Sequence, residues 1–210
     1  METEIRPPRI GVLAIQGDYA AHADALVEAG AVPSLVKNPE DLRLDSPSLD
    51  GLILPGGEST TMLKFLERRG LFESLKEFAA ARPVFGTCAG AILIAREVLH
   101  PPQLSLGLLD AVVERNAYGR QIDSTILTEP TTLPGGPLEM VFIRAPRLTR
   151  IGPSVEVLAR REGFPVLVRQ GNLLAATFHP ELSHDRRVHQ LFVDTVRHAR
   201  QKDAVHAQES

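Results

Sequence analysis

The feature that most constrains this chain is Gly86-Thr87-Cys88-Ala89-Gly90, set between the short apolar run 83–86 and the apolar stretch 91–98. It has the form G-x-C-x-G. A side chain at the centre of a tight strand-to-helix turn is pushed out at the carboxyl edge of a sheet, and glycines on either side relieve the crowding. The helix that follows presents its N-terminus, which favours negative charge and so suits a thiolate. The backbone N–H of Ala89 would face the oxygen of a carbonyl bound at Cys88. Such a turn needs a strand before it, a helix after it and a sheet to stand on. The chain is therefore expected to be α/β.

The order of apolar runs agrees. Residues 9–15 (RIGVLAI) read as a buried strand, broken by Gln16-Gly17. Asp18 could cap a helix that carries Ala25, Leu26 and Ala29 and ends at Gly30. Residues 32–36 and 49–54 read as strands, the latter stopped by Pro55-Gly56-Gly57. A helix with Met62, Leu63, Phe65 and Leu66 follows, then another over 71–81, the strand 83–86 and a helix over 91–98. Alternation of strand and helix predicts a mainly parallel central sheet with helices on both faces, a three-layer architecture.

The second half changes character. Residues 108–114, 124–127, 138–143, 155–160, 165–169 and 173–178 are short strand-like runs punctuated by Gly, Pro and Asn. They predict a small antiparallel extension and the return of the main sheet. Residues 186–200 form an amphipathic helix with Val188, Leu191, Phe192 and Val196 on one face. The whole of 1–210 is expected to be one domain, with its core over about 9–200 and a flexible tail at 201–210.

A cysteine nucleophile requires a base. His179-Pro180-Glu181 follows the last apolar run. The imidazole can take the thiol proton and return it to a leaving group, and the carboxylate can fix its tautomer. In extended backbone, residues i and i+2 face the same way, so both side chains are expected to reach one cleft. Pro55-Gly56-Gly57-Glu58-Ser59-Thr60-Thr61 lacks the G-x-x-x-x-G-K-[ST] pattern of a phosphate loop. It is read instead as an oxyanion donor at Gly57 and a polar substrate contact at Glu58, with Ser59 or Thr60 as a helix cap. Arg115 lies in a loop with Asn116, Tyr118, Gly119, Arg120 and Gln121, and Arg144 ends a strand at Ile143. Guanidinium groups there could grip a carboxylate. His22, His100, His184, His189, His198 and His206 make no metal-ligand spacing, and 184–189 reads as an exposed helix start. No metal and no cofactor is expected.

Composition narrows the remainder. The net charge is −3, there is no Trp, and the two Tyr and eight Phe do not alternate with basic residues, so no nucleic-acid partner is expected. No apolar run approaches the roughly 20 residues of a membrane span, and the charged, proline-bearing start is unlike a secretory signal. Cys88 is the single cysteine, which excludes an intramolecular disulfide and points to a reducing, cytoplasmic compartment.

Taken in order, GVLAIQG, LPGGESTT, GTCAG, RNAYGRQ, FIRAP and FHPEL resemble the glutaminase subunits of pyridoxal 5′-phosphate synthase, a branch of the class I, triad-type glutamine amidotransferases. The resemblance runs from about Arg9 to Arg197. It implies that Cys88 is the nucleophile and that His179 and Glu181 complete the triad. Gly57 and Ala89 would supply the oxyanion N–H groups. L-Glutamine would be held by Gly57, Glu58, Ser59, Arg115, Ile143 and Arg144. The implied partner is a (β/α)8-barrel synthase subunit that consumes the ammonia and awakens the glutaminase, with Gln16-Gly17 as the loop expected to rearrange.

Overall fold

The structure, a computed structural model, describes residues 6–45, 48–115 and 124–208. In chain order the first elements are β1 (Arg9–Leu13), α1 (Tyr19–Glu28), β2 (Val32–Val36), β3 (Gly51–Leu54), α2 (Ser59–Arg68), α3 (Leu71–Ala81), β4 (Val84–Thr87) and α4 (Ala89–Ile94). There follow β5 (Ala95–Leu99), β6 (Leu109–Glu114), β7 (Ser124–Glu129), β8 (Leu138–Ile143), β9 (Arg147–Ile151), β10 (Glu156–Arg161), β11 (Phe164–Gln170), β12 (Leu173–Ala176) and α5 (Arg187–Gln208).

The main sheet has seven strands in the order β10-β11-β12-β4-β3-β1-β2. From β12 to β2 neighbouring strands run parallel, while β10 and β11 add an antiparallel margin. Strands β3 and β4 are buried along their whole length, as strands covered on both faces must be. On one face pack α2, α3 and α4 through Met62, Leu66, Phe78 and Leu93. On the other pack α1, α5 and the inward side of β8, through Leu26, Phe192, Val196, Met140 and Phe142. The expected α/β, three-layer architecture and antiparallel extension are present. The extension takes the form of the β7-β8 sheet, the β10-β11 margin and the β6-β9 pair, to which β5 adds in parallel.

Local departures have physical causes. The helix expected over 91–98 stops at Ile94, and β5 continues as a strand. The N–H groups of Leu106 and Leu108 bond to the Leu93 and Ile94 carbonyls at 2.7 and 3.0 Å, which draws the chain into pairing with β6. Here tertiary pairing overrides helix propensity. Strand β9 escapes the sequence reading because its charged, half-exposed residues carry little alternation. Asp18 precedes α1 but makes no side-chain cap bond. The flexible tail expected over 201–210 is, through Gln208, the last part of α5. No Gly or Pro interrupts that segment, and Asp203 pairs with Arg82 at the end of the sheet layer.

Candidate active site

Register alone brings the predicted triad together. In β4 and β12, Thr87 pairs with Ala176, and the Cys88 N–H continues the ladder to the Ala176 carbonyl at 2.8 Å. In β3 and β4, Leu54 pairs with Gly86. The three parallel strands therefore end side by side, and the residues that leave them are Cys88, His179 and the Gly56-Gly57 loop. Ligand sites of open α/β sheets form at such carboxyl ends.

Cys88 has φ 47° and ψ −103°, in the left-handed half of the map that non-glycine residues rarely occupy. Its flanking glycines are sterically required. A Cβ on Gly86 would lie 2.6 Å from the Gly90 backbone, and one on Gly90 would lie 1.9 Å from the Leu54 carbonyl oxygen. The elbow is thus wedged between β3 and its own helix. Ala89 opens α4, so its N–H falls in the first turn, where no intrahelical acceptor exists. Cys88 Sγ lies 3.9 Å from the Ile143 carbonyl oxygen and borders the same cleft as His179.

His179 is held from both sides. Its backbone N–H donates to Val141 of β8 at 2.8 Å. Its ring lies against Gly56, where a Cβ would come within 2.4 Å of Cε1. Nδ1 meets Glu181 Oε1 at 2.7 Å, which places the proton of that bond on the ring, facing the carboxylate. Burial works to lower the imidazole pKa, but hydrogen bonds and attraction to Cys88 and Glu181 outweigh it and raise it to about 10. The extended geometry expected for His179 and Glu181 is replaced by a short 3-10 turn over Pro180–Leu182. Hence His179 borders the cleft while Glu181 stands behind it, with a fully buried side chain.

The cleft holds about 250 Å³ and is bordered by Gly57, Glu58, Ser59, Arg115, Ile143 and Arg144 beside Cys88 and His179. All the substrate contacts expected from sequence thus meet in one cavity. Gly17, Asp18, Gly56, Ile92 and Pro146 also border it and went unpredicted as site residues. The glycines of the PGG loop were the available signal for Gly56, since a close backbone approach requires them. Gly17 has φ 77°, and a Cβ there would meet the Gly56 carbonyl oxygen at 1.9 Å. Gln16 Nε2 donates to the Glu58 carbonyl at 2.6 Å, tying the first strand-end loop to the third.

The cap of α2 is Glu58, not Ser59 or Thr60. Its carboxylate accepts from the backbone N–H groups of Thr60 and Thr61 at 3.0 and 2.6 Å. Ser59 Oγ instead donates to Gln103, and Thr60 Oγ1 accepts from Arg115 at 3.0 Å. Hydrogen bonding from Thr61, opposed by slight burial and aided by Thr60, lowers the Glu58 pKa to about 2. A carboxylate and the Arg115 guanidinium, 3.6 Å apart, thus stand at one end of the cleft. Asn116, Tyr118, Gly119, Arg120 and Gln121 lie outside the described residues. Asp18, His179 and Glu181 bring one ligand-type atom each within 4.8 Å of one another, yet His179 Nδ1 and Glu181 are already bonded together. His189, read from sequence as part of an exposed helix start, is fully buried. Its spacing from Phe192 and Val196 puts it on the inward stripe of α5, a helical periodicity that could have placed it.

Comparison with known proteins decides the family. A model of the SNO glutamine amidotransferase family matches residues 12–198. The chain belongs to this family. It is 57% identical over 189 residues to the "Pyridoxal 5'-phosphate synthase subunit PdxT" of Koribacter versatilis, covering 90% of this chain and 96% of that one. It is 55% identical over 192 residues to the protein of that name from Solibacter usitatus, covering 88% and 97%. A solved structure described as "Crystal structure of glutamine amidotransferase" superposes with TM-score 0.81 at 44% identity, over 89% of this chain and 98% of that chain. Among the described residues of this family member, no helix is long and apolar enough to cross a membrane.

Proposed function

We propose that this chain is the glutaminase subunit of a pyridoxal 5′-phosphate synthase. It hydrolyses L-glutamine to L-glutamate and ammonia, and a synthase subunit, taken to be a (β/α)8 barrel, consumes the ammonia in a reducing cytoplasm. The observation that carries this reading is the parallel alignment of β3, β4 and β12, which sets Cys88, His179 and the Gly56-Gly57 loop around one cleft.

The Cys88 thiolate attacks the side-chain carboxamide carbon of glutamine. The tetrahedral oxyanion is held by the N–H groups of Gly57 and Ala89; one such donor contributes about 3 kcal/mol in hydrolases of this kind. The raised pKa of His179 keeps its imidazolium charged beside the thiolate. It protonates the departing nitrogen, and ammonia leaves as the glutamyl thioester forms. Neutral His179 then takes a proton from water, the resulting hydroxide attacks the thioester, and glutamate departs as the Cys88–imidazolium pair is restored. Arg115 and Arg144 suit the substrate carboxylate, and Glu58 suits its ammonium group. Ser59 and Ile143 complete the wall. Ammonia must avoid protonation in bulk water, so it passes through an enclosed route completed by the partner. The Gln16–Glu58 contact ties the strand-end loop to the oxyanion loop, and through it partner binding would set the donor geometry.

The test is glutamate release from glutamine with and without a pyridoxal 5′-phosphate synthase subunit, for the native chain and Cys88→Ala. Release stimulated by the partner and lost in the variant is expected. No release from a folded, complex-forming native chain would leave a binding subunit as the better account.

A further inference from the structure

Behind Glu181 lies a line of buried polar side chains that hydrolysis does not consume. Glu181 Oε1 serves His179, while Oε2 has no hydrogen-bond partner among the described residues and faces His22 Nε2 at 3.3 Å, both side chains being fully buried. His22 Nε2 also lies 3.1 Å from Thr87 Oγ1, one residue before the nucleophile. On its other side His22 Nδ1 lies 3.0 Å from His189 Nε2. His189 Nδ1 has no hydrogen-bond partner among the described residues. Phe85 stands edge-on to both imidazoles and packs against Phe192, so apolar walls enclose the pair.

The proton positions along this line follow from what each end can accept. Burial, then the charges of His189 and His179, hold His22 well below its ordinary pKa. Burial and Arg186 hold His189 at about 3, against the attraction of Glu28. Each ring therefore carries one proton. A carboxylate oxygen repels a lone pair, so the His22 proton belongs on Nε2, where it donates to Thr87 Oγ1 and turns its positive edge to Glu181 Oε2. His22 Nδ1 is then an acceptor, and His189 donates to it from Nε2. The ring nitrogen left over is the bare Nδ1 of His189. The reverse arrangement would aim a lone pair at Glu181 and bury an unpaired N–H, and orphaned donors are rarer than orphaned acceptors.

We infer that His22 is a positioning residue: its Nε2–H, donated to Thr87 Oγ1, keeps a positive edge 3.3 Å from Glu181 Oε2 so that Oε1 stays aligned with His179 Nδ1–H, and His189 fixes the tautomer that makes this possible. The inference rests on the reading of Cys88, His179 and Glu181 as a triad. His22 does not border the cleft. Its removal should therefore lower kcat and leave KM for glutamine unchanged.

The experiment has an arm on the native chain and an arm on variants. In the native chain, ¹⁵N NMR of the imidazoles is expected to show His22 and His189 both protonated at Nε2 and bare at Nδ1. A His22 protonated at Nδ1 alone overturns the inference. In the complex with the synthase subunit, His22→Leu is expected to lower kcat roughly 10- to 100-fold, the range seen when a group orienting a functional histidine is removed. The alkaline limb of its pH profile should move to lower pH, and His22→Gln, which returns an N–H donor, should recover most of the loss. Native values for His22→Leu, with Cys88→Ala inactive, overturn the inference and spare the triad. Activity in Cys88→Ala removes the triad and the inference with it. If His22→Leu does not fold, the tautomers of the native chain and the rate of His22→Gln decide.

Discussion

His179 has two unlike sides. Toward Cys88 it meets a cleft lined by backbone and glycine, with Gly56 against its ring and Gly57 and Glu58 beyond. Toward Glu181 it meets a closed line of side chains, His22, Thr87 and His189, all fully buried. The open side supplies reactivity and the closed side supplies orientation. Glycine on the open side lets the reacting groups approach. On the closed side most polar atoms find another, because an unpaired buried group costs about 1–3 kcal/mol, and the two left over, Glu181 Oε2 and His189 Nδ1, are acceptors.

The largest effect expected lies on the open side. Cys88→Ala should lower partner-stimulated glutamate release roughly ten-thousand-fold or more, as loss of a nucleophile does in other triad hydrolases. Gly56→Ala comes next. Its methyl would enter the space of the His179 ring, whose Cε1 lies 2.4 Å away, and displace it from Cys88. A misplacement near 1 Å lowers kcat on the order of 100-fold, and steady-state kinetics of the complex would read it. An unaltered kcat would mean that the ring is not confined from this side.

The closed side is read by pH. Two of the influences that raise the His179 pKa to about 10 come from Glu181. Glu181→Gln should therefore move the alkaline limb of kcat to lower pH; a limb that stays in place would separate Glu181 from catalysis. Stability should respond at the other end of the scale. His22 and His189 have folded pKa values below their ordinary 6.5, that of His189 near 3. Below 6.5 the unfolded chain takes up protons that the folded core refuses, so stability falls as pH falls toward 3. Near neutral pH and above, this contribution is fully present. Denaturant unfolding at neutral pH and at about pH 5 should show a smaller difference in His189→Leu than in the native chain. The smallest effect concerns neither side. Arg82→Ala frees Asp203 and should lower stability by about 1 kcal/mol or less, with activity unchanged.

This contrast also explains what was legible in the sequence. Cys88, Gly57 and Glu58 belong to loops whose glycines advertise tight turns, and His179 follows an apolar strand at a recognisable break. Such signals are local. Strand order and register are not, yet parallel pairing of β12 with β4 is what sets His179 beside Cys88. The closed side was nearly invisible. His22 and His189 are 167 positions apart and look like ordinary polar residues until α1 and α5 are packed on the same face. The cap of α2 misled for a related reason. Ser59 and Thr60 have the usual cap chemistry, and only the folded loop reveals that the Glu58 carboxylate, at the edge of the cleft, takes that role.

The central claim is that Cys88, aligned by β4 with His179, which follows β12, forms the covalent bond to substrate. The most direct measurement is mass spectrometry of the chain quenched in acid while its complex with the synthase subunit turns over glutamine. A glutamyl group on the peptide containing Cys88, absent from Cys88→Ala, is the expected result. Turnover that continues with Cys88 unmodified, or in the variant, would contradict it.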